Sequence, residues 1–491
     1  MPSITDTPVA PARPDAHLRR IASLPGPFAL PLLGNVLQIT PTRIHQDIER
    51  WSRRHGTLFR VRFGSRQVLV LADHELIAGV LRDRPDGFRR PRISADVALE
   101  MGGAPGLFMA EGTDWRNQRR MVMHGFGPAA IKAYFPALVK VALRLERRWL
   151  AAARDGRAID LTDDLKRYTV DIIAGLAFGT EVNTIDSGED VIQRHLDVIL
   201  PAVARRSFAL IPYWRYFKLP RDRRLDRSVA ALDGAVHDLI AQARRRMQEQ
   251  PQRRAQPANL LEAMIAAADQ EGSGVNDRDV AGNVSTMLLA GEDSTAHTIA
   301  WTLYLLQRNP AALRRAQDEV RRLAPSAEGF SIEQMDALDY LGACANEAMR
   351  LKPVAPFLPL EALRDSVVGD VRVPAGGLVW CVMRHHSVAD SHVANAAAFE
   401  PQRWLAADGA SGEDGVGAID KRLSMPFGAG PRTCPGRYLA LLEIKIALAM
   451  LLARFELLGV DTPDGGDARE TMGFVMSPLG LRLRLRLRRL A

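Results

Sequence analysis

Hydrophobic residues recur at helical spacing through most of the chain between Asp73 and Leu351. Long runs in which apolar side chains return every three or four positions cover Ala129–Ala153, Leu161–Phe178 and Leu225–Gln250. A further helix is predicted to begin at Asn276, a favourable N-cap residue, and to end before Asn309 and Pro310. At 1.5 Å per residue, its ~32 residues would form a rod of ~48 Å. This part of the chain is therefore predicted to be mainly helical.

Shorter segments have the apolar or alternating pattern of strands. They are Leu58–Phe63, Gln67–Leu71, Val367–Val373, Leu378–Val382 and Leu481–Leu487. The first two flank Gly64 as a predicted hairpin, and a last apolar helix is predicted between Cys434 and Leu452. The fold class indicated is mainly α with a smaller β region. With no repeat and no linker in the sequence, we expect a disordered tail at residues 1–23 and a single domain at residues 24–491.

The composition permits a large core and a mildly basic surface. Of 491 residues, 47% are hydrophobic, and Lys and Arg (65) outnumber Asp and Glu (57), for a formal net charge of +8. Such an excess could favour acidic partners, but the charges are spread along the whole chain and there is no Cys/His zinc pattern, so no nucleic-acid partner is expected. No metal role is assigned to His124, His297, His385 or His386, since none of them stands in a His-Glu-x-x-His pattern.

The cysteines and the N-terminal residues bear on the compartment. An odd, sparse set of three cysteines argues against a disulfide framework and for a reducing environment. Residues 1–20 contain charges and prolines but no apolar stretch, unlike a secretory signal. No run approaches the ~20 apolar residues that span a bilayer. A cytoplasmic protein without a membrane span is expected.

Cys434 stands in a Gly-rich turn just before the last apolar helix, within Phe427–Arg437, which reads FGAGPRTCPGR. A helix N-terminus lowers the pKa of a thiol, and a thiolate ligand favours O–O cleavage at haem iron. Gly428 and Gly430 would let the backbone approach a flat macrocycle, and Arg432 could pair with a haem propionate. The turn therefore predicts that Cys434 is the axial ligand of a haem.

Two other interpretations of the turn are a buried structural cysteine and a dinucleotide-binding loop. For a lone cysteine the first would be favoured, but here Gly, Pro, Arg and Cys stand at fixed offsets before a helix. The second requires a third glycine at the position of Thr433, so that fingerprint fails.

The turn resembles the haem-binding loop of the cytochrome P450 family, whose pattern is Phe-Gly-x-Gly-x-Arg-x-Cys-x-Gly. Every fixed position matches in Phe427–Gly436, and the resemblance extends over Leu24–Leu487 with the motifs in family order. It implies the P450 fold with haem b as cofactor. The loop residues that it places at the haem are Phe427, Gly428, Arg432 and Cys434.

Glu347 and Arg350 are three residues apart on a predicted helix, where an exposed ion pair would be the ordinary interpretation. The family carries Glu-x-x-Arg at this place. Its third partner is the arginine of a Phe-x-Pro-x-Arg motif, which Phe399–Arg403 resembles. The resemblance implies a structural network of Glu347, Arg350 and Arg403 that anchors the loop of Cys434.

The middle of the long predicted helix contains Gly, Asp, Ser and Thr within the run Ala-Gly-Glu-Asp-Ser-Thr. These four are poor helix formers, and such residues inside an otherwise strong helix often mark a functional site. Ala290 and Gly291 would leave room for dioxygen, and an acid–alcohol pair can relay protons. In isolation, a serine hydroxyl bonded to an earlier carbonyl is the commoner arrangement. The family usually has Ala-Gly-x-Asp/Glu-Thr-Thr here. The resemblance makes Asp293 the acid and Ser294, in place of threonine, the alcohol, with Thr295 beside it.

Trp115 and Arg119 lie one helical turn apart, so an indole N–H and a guanidinium could bond the same carboxylate. A packed tryptophan beside an exposed arginine is commoner, but the family has Trp-x-x-x-Arg in a helix that contacts a haem propionate. The family often has another basic partner in the strand after its Glu-x-x-Arg helix. We find none around Leu360–Ala362, and the role of Arg364 stays open.

The resemblance implies a monooxygenase that inserts one atom of dioxygen into a hydrophobic small molecule by hydroxylation or epoxidation. Electrons would come from a separate ferredoxin or flavodoxin-type donor, since the sequence contains no flavin or nicotinamide loop. A docking face for an acidic donor would consist of Arg116, Arg120, Arg437 and Lys445. A monomer is expected.

The resemblance places substrate contacts in three largely apolar stretches, Arg92–Phe108, Ile199–Phe217 and Met472–Leu479. A fatty acid, terpenoid, steroid or polyketide would fit such contacts. Two alternatives remain. One is a peroxide-driven peroxygenase on the same fold, which typically lacks the acid–alcohol pair. The other is a non-catalytic haem protein that senses gas or recruits a partner.

Overall fold

The fold is given by a computed structural model that describes residues 18–101, 106–179, 183–187, 191–207, 209, 212–405 and 418–488. Its helices are α1 (Ile44–His55), α2 (His74–Arg82), α3 (Arg92–Glu100), α4 (Gly112–Gly125), α5 (Pro128–Arg154), α6 (Leu161–Phe178), α7 (Thr184–Ser187), α8 (Val191–Ser207), α9 (Pro220–Glu249), α10 (Gln252–Ala255), α11 (Leu260–Ala268), α12 (Asp277–Arg308), α13 (Pro310–Leu323), α14 (Ile332–Asp336), α15 (Asp339–Leu351) and α16 (Arg437–Arg454). Its strands are β1 (Arg19–Arg20), β2 (Leu58–Phe63), β3 (Arg66–Leu71), β4 (Phe88–Arg89), β5 (Ile159–Asp160), β6 (Phe357–Ala362), β7 (Ser366–Val368), β8 (Val371–Val373), β9 (Leu378–Val382), β10 (Phe455–Asp461), β11 (Glu470–Met472), β12 (Met476–Pro478) and β13 (Arg482–Leu487). The predicted fold class, mainly α with a smaller β region, is confirmed.

The long helix α12 begins and ends where its sequence predicts. The side-chain oxygen of Asn276 accepts hydrogen bonds from the N–H groups of Arg278 (2.9 Å) and Asp279 (3.2 Å). The Asp279 carboxylate accepts one from the N–H of Asn276 at 2.9 Å, which completes a capping box. The helix ends at Arg308 because Pro310 occupies the first turn of α13. Its 32 residues agree with the predicted length.

Two hydrophobic cores position the elements that matter for function. In the main core, α12 packs against α6, α15 and α16. The second core lies between α2 and the largest sheet, whose strand order is β2-β3-β9-β6-β4, with β3 and β9 parallel. The smaller sheets have the orders β1-β8-β7, β10-β13-β5 and β11-β12. In β13 the leucines Leu483 and Leu485 are buried and the arginines are exposed, as the alternating pattern predicts.

Three expectations about segments need correction. The tail predicted to be disordered, residues 1–23, is too long, because Arg19 pairs with Val371 in the parallel strands β1 and β8, and Ile21 is buried. Residues 1–17 lie outside the described residues. The predicted strand Val367–Val373 is two strands, β7 and β8, which Gly369 separates in a left-handed turn. The stretch predicted as a loop at Gln248–Pro257 contains the short helix α10.

Among the described residues, no single helix is long and apolar enough to cross a membrane. The helices α4 and α5 meet that criterion only when they are counted together. The chain bends by 55° between them.

Candidate active site

Cys434 lies in a tight turn that ends at α16. Gly428 (φ +73°) and Gly430 (φ +69°) adopt left-handed conformations that side chains disfavour. The N–H of Cys434 donates to the carbonyl oxygen of Phe427 at 2.9 Å, which closes the turn. Since α16 begins at Arg437, the turn holds the sulfur at a fixed place just before a helix.

Cys434 differs from the other two cysteines in its exposure. Its side chain is exposed, whereas Cys344 and Cys381 are fully buried, and burial raises the pKa of Cys381 to about 12. Protein atoms around the Cys434 thiol restrict its hydration and raise its pKa, while a hydrogen bond from the N–H of Gly436 and the charge of Arg119 lower it. These two groups favour the thiolate, which is the form in which cysteine binds a metal ion. Cys434 is therefore the cysteine that fits an axial ligand.

A cluster of arginines lies beside this turn. Arg84, Arg90 and Arg432 converge on the carboxylate of Glu111, to which Arg432 donates a hydrogen bond. Burial, together with the charges of Arg84 and Arg119, lowers the pKa of Arg432 to about 10, although the charge of Glu111 raises it. Among the described residues, Nε and Nη2 of Arg84 and Nε of Arg432 are buried without a hydrogen-bond partner. Unpaired buried donors are costly, so the cluster fits a ligand with carboxylates, as the propionates of a haem are.

The predicted pair on α4 belongs to the same cluster. Trp115 is buried, and its ring centroid lies 4.9 Å from the guanidinium carbon of Arg432. Arg119 interacts electrostatically with the Cys434 thiol. The structure therefore brings Trp115, Arg119, Arg432 and Cys434 together, from α4 and from the turn before α16.

Two basic residues of this cluster were missed in the sequence. Arg364, the candidate found near β6, is exposed and donates to Asp83 at 2.8 Å. The additional arginines, Arg84 and Arg90, come from the segment after α2. The only signal for them is the density of arginines in positions 82–92, which include five.

The atypical segment of α12 presents Ala290 and Ser294 on one face. Ala290 is exposed in mid-helix, and the Ser294 hydroxyl donates to the Ala290 carbonyl at 2.7 Å, the ordinary bond of a helical serine. Thr295 is buried. Gly291 faces α6, where a Cβ would lie 2.7 Å from Cδ1 of Ile173. The absence of a side chain at Gly291 thus allows α6 to pack closely against α12, and it does not open space beside Ala290.

Asp293 pairs with Lys166 of α6, a residue that the sequence analysis did not single out. The Nζ atom lies 2.8 Å from Oδ1 of Asp293 and 3.4 Å from Oδ1 of Asp197. Burial lowers the pKa of Lys166, but the charge and hydrogen bond of Asp293 outweigh burial and raise the pKa above its ordinary value. Burial also lowers the pKa of His297, one turn beyond Asp293, to about 4. A lysine cation, with a neutral imidazole nearby, therefore accompanies the predicted acid.

Glu347, Arg350 and Arg403 form one buried network. Arg350 donates to the two carboxylate oxygens of Glu347 at 2.8 and 2.7 Å, and Nε of Arg403 donates to Oε1 of Glu347 at 3.0 Å. Trp404, which the sequence analysis missed, donates to Oε2 of Glu347 at 2.8 Å. Arg350 also donates to backbone carbonyls at positions 387, 396 and 398. The network ties α15 to the irregular segment that leads toward Cys434.

Residues 24–485 match the sequence model of the family described as Cytochrome P450. The chain belongs to the cytochrome P450 family. It is a haem-thiolate monooxygenase, an oxidoreductase that uses dioxygen, and the family implies haem iron as its cofactor. The crystal structure of the cytochrome P450DA heme domain has a TM-score of 0.81 and 25% identity, with 96% of this chain and 99% of that chain covered.

Curated relatives agree with this assignment. Carotene epsilon-monooxygenase, chloroplastic, from Arabidopsis thaliana is 28% identical, with 87% of this chain and 79% of the relative covered. Cytokinin hydroxylase from the same plant is also 28% identical, with 88% and 85% covered. A self-sufficient cytochrome P450 monooxygenase from Aspergillus niger is 28% identical over 95% of this chain, which spans only 43% of that relative.

The three stretches expected to contact substrate meet in this P450. The rings of Phe108 and Phe474 join the first and third stretches, with centroids 5.8 Å apart. The indole N–H of Trp214, in the second stretch, donates to Glu100 in the first at 2.9 Å. Positions 102–105, 208, 210 and 211 of these stretches lie outside the described residues.

The four cations expected on a docking face are not equivalent. Arg116, Arg120 and Arg437 are exposed, although Arg116 already pairs with Asp86 at 2.6 Å. Lys445 does not belong to an open face, because its Nζ donates to the carbonyl of residue 335 at 2.8 Å and burial lowers its pKa. We correct the expected face to the three arginines.

Proposed function

We propose that this P450 hydroxylates or epoxidises a hydrophobic organic substrate with dioxygen, using haem b bound by Cys434. The observation that supports this most directly is the open thiol of Cys434 beside arginines whose buried N–H groups lack partners. Glu111 supplies one carboxylate against several guanidinium charges. The two propionates of haem b would accept the remaining hydrogen bonds.

The chain's own residues would hold this cofactor from two sides. Cys434 would ligate iron through Sγ, with the N–H of Gly436 and the charge of Arg119 favouring its thiolate form. The propionates would be held by Trp115, Arg119, Arg432, Arg84 and Arg90. When bound, a thiolate-ligated haem supplies the activation of dioxygen and the transfer of one oxygen atom.

Asp293 and Ser294 would move protons from the side of α6 to the open face of α12. The Lys166 side chain is 17% exposed and that of Asp197 is 56% exposed, so water reaches the far side of Asp293 through this pair. Rotation of the Asp293 side chain would carry a proton toward the hydroxyl of Ser294. That hydroxyl donates to the Ala290 carbonyl, so it can accept a proton at a lone pair and release its own. Thr295 offers a second hydroxyl nearby.

The substrate region favours an apolar molecule. Phe108 and Phe474 face each other, and the guanidinium of Arg90 lies 3.3 Å from the Phe108 ring centroid. Aromatic faces bind apolar and unsaturated groups well. The name of one relative gives carotene, a terpenoid hydrocarbon, as what it acts on. A fatty acid, terpenoid, steroid or polyketide is the proposed class.

A separate ferredoxin or flavodoxin-type donor would dock at Arg116, Arg120 and Arg437. Charge reversal by Arg120→Glu or Arg437→Glu should slow reduction by an acidic ferredoxin and weaken the salt dependence of that rate. Arg227→Glu, at an exposed position on α9, is the matched control and should change neither. Equal rates and equal salt dependence in all four proteins would rule out this face.

We also propose a monomer in the cytoplasm. The support is the absence of disulfides among Cys344, Cys381 and Cys434, which are all unpaired, as is usual in a reducing compartment. Sedimentation of the purified protein at one chain mass across dilutions would agree with a monomer, and a concentration-dependent larger mass would overturn it.

Incorporation of labelled oxygen tests the proposed reaction. Apolar compounds are first screened for a shift of the haem Soret band, and the best ligand is then incubated with NADPH, ferredoxin and ferredoxin reductase under ¹⁸O₂. We expect product with one ¹⁸O atom and none from labelled water. Product that forms only after hydrogen peroxide is added would replace the proposal by a peroxygenase. Tight ligands with no product in either system would indicate a non-catalytic haem protein.

A further inference from the structure

Three histidines from separate segments meet at the start of α2. His74 is the first residue of α2, His386 lies in a turn after β9, and His392 lies in the irregular segment that follows. One ligand atom from each lies within 4.8 Å of the other two. None of the roles assigned so far involves these side chains.

The ring geometry brings nitrogen atoms of the three side chains close to one another. Nδ1 of His74 lies 2.9 Å from Nδ1 of His386, and the rings of His386 and His392 stack with centroids 3.9 Å apart at 19°. Nδ1 of His392 is 2.9 Å from the Ser391 hydroxyl, which leaves Nε2 as the atom of His392 for a ligand role. A hydroxyl on the second nitrogen orients a ligating imidazole.

Without an ion, the Nδ1 atoms of His74 and His386 lie at hydrogen-bond distance, so one of them acts as donor and the other as acceptor. The N–H of His74 also points to Nδ1 of His386 at 3.4 Å, so this nitrogen is placed as an acceptor. An ion with Zn–N distances of about 2.0–2.1 Å would separate tetrahedral ligand atoms by about 3.4 Å. Stacked rings direct their nitrogen lone pairs side by side, so the exposed His392 would rotate out of the stack and His74 would change tautomer for the three nitrogens to share an ion.

Two acidic side chains interact electrostatically with the imidazoles of this cluster. Burial, followed by the neighbouring His392, lowers the pKa of His386 to about 4, while Asp73 raises it. Asp420, whose charge interacts with His74, adds negative potential at the site.

We propose that His74, His386 and His392 form a binding site for one divalent transition-metal ion, with Zn²⁺ as the first candidate. Imidazole is a ligand type that suits zinc, copper and nickel. Three protein nitrogens with water at the fourth position complete a tetrahedral zinc site. The site is separate from Cys434 and does not depend on the proposed reaction.

The ion would connect two segments that flank the turn of Cys434. At the far end of α2, the carbonyl oxygen of Leu81 would lie 2.6 Å from a Cβ on Gly430, so helix and turn are in tight contact. On the other side, the carbonyl of Ser387, next to His386, accepts a hydrogen bond from Arg350. Metal binding would therefore brace the loop that holds the thiolate, and we expect slower loss of haem when Zn²⁺ is bound.

Calorimetric titration of the tag-free holoenzyme with Zn²⁺ tests the site, with haem occupying Cys434 so that its thiolate does not compete. We expect one Zn²⁺ per chain. The variant His392→Ala changes only an exposed side chain, and it should weaken binding at least as much as loss of an outer partner does, roughly 10–100-fold. His74→Ala should do the same. The control His237→Ala, an exposed histidine on α9, should bind as the wild type does.

A second measurement follows transfer of haem to excess apomyoglobin with and without Zn²⁺. Zinc should slow transfer in the wild type and in His237→Ala but not in His392→Ala. Failure of the wild type to bind one Zn²⁺, or unchanged Zn²⁺ affinity in both His392→Ala and His74→Ala, would overturn the proposal.

Discussion

At the scale of single residues, Ser294 stands where the family usually has threonine. Its hydroxyl makes the same i to i−4 bond that Thr298 and Thr302 make on the following turns, at 2.8 and 2.7 Å, so α12 accommodates threonine in that geometry. Serine lacks the methyl that restricts χ1, so its hydroxyl can turn away more readily. The residue is therefore expected to limit how well electron use is coupled to product formation.

We predict that Ser294→Thr releases less hydrogen peroxide per NADPH consumed than the wild type, and that Ser294→Ala releases more. Threonine would hold the proton-relaying hydroxyl in place more firmly, whereas alanine would remove it. NADPH oxidation and peroxide release are measured together with a fixed redox partner and ligand. The same peroxide yield in all three proteins would contradict a role for this hydroxyl.

Lys166 and Asp293 are predicted to be energetically coupled. Their side chains are 17% and 12% exposed and lie 2.8 Å apart, so removal of one partner leaves a poorly hydrated charge. A double-mutant cycle with Lys166→Met and Asp293→Asn should give an interaction free energy of about 1–3 kcal/mol. Urea unfolding of the four proteins measures it. Additivity within about 0.5 kcal/mol would show that the pair is not coupled.

The sequence predicts residues that stand in spaced motifs but not those brought in by packing. Cys434, Trp115 and Glu347 are recognisable because neighbouring positions share a turn or a helix face. Lys166 and Arg84 have no such partners along the chain, and they reach their sites only because α6 packs on α12 and α2 lies against the turn of Cys434. Their contributions follow from tertiary contacts, which no local pattern contains.

At the scale of elements, the turn before α16 contains two left-handed glycines with different surroundings. A Cβ on Gly430 would lie 2.6 Å from the carbonyl oxygen of Leu81, whereas one on Gly428 would have nothing within 4 Å. Both would suffer backbone strain, but only the first would also push against α2.

We therefore predict that Gly430→Ala lowers stability and haem content more than its matched control Gly428→Ala. The control should cost only the strain of a left-handed residue, about 1–2 kcal/mol. The ratio of haem to protein absorbance and the urea midpoint of each variant measure the difference. Equal losses in the two variants would show that contact with α2 does not hold the turn.

Helices were predicted more completely than the short strands around them. The periodicity of α6 and the caps of α12 are local, so their bounds follow from the sequence. The helix expected from Leu225 begins earlier, at Pro220, because proline suits the first turn and the polar first turn has no apolar period. The two-residue strand β1 forms only by pairing with β8, which is distant in the sequence, so the residues around β1 contain no pattern that predicts it.

At the scale of the whole molecule, a buried ion network joins distant parts of the chain. Arg384, after β9, donates to Glu49 of α1 at 2.9 and 2.8 Å and to Glu470 of β11 at 2.7 and 3.0 Å. His45 and Lys352 lie 2.9 and 2.7 Å from Glu470. Burial raises the pKa of Glu470, but hydrogen bonds from His45 and Arg384 hold this pKa well below its usual range. The carboxylate is therefore charged at neutral pH.

We predict that Glu470→Gln lowers the free energy of unfolding by about 3 kcal/mol, because it leaves Arg384 buried with less than its full counter-charge. The matched control is Glu456→Gln, whose exposed pair with Arg486 should contribute less than about 1 kcal/mol. Urea midpoints compare the two variants. A loss for Glu470→Gln no larger than that of the control would contradict the stabilising role of the network.

Cys434 is expected to bind haem iron as a thiolate. The most direct test is the carbon monoxide difference spectrum of dithionite-reduced protein, recorded for the wild type, Cys434→Ala and the buried control Cys344→Ala. We predict the strongly red-shifted Soret band of a thiolate-ligated carbonyl haem in the wild type and the control, and its loss in Cys434→Ala. Folded wild type without haem from haem-replete cells, or a shifted band that persists in Cys434→Ala, would contradict thiolate ligation by Cys434.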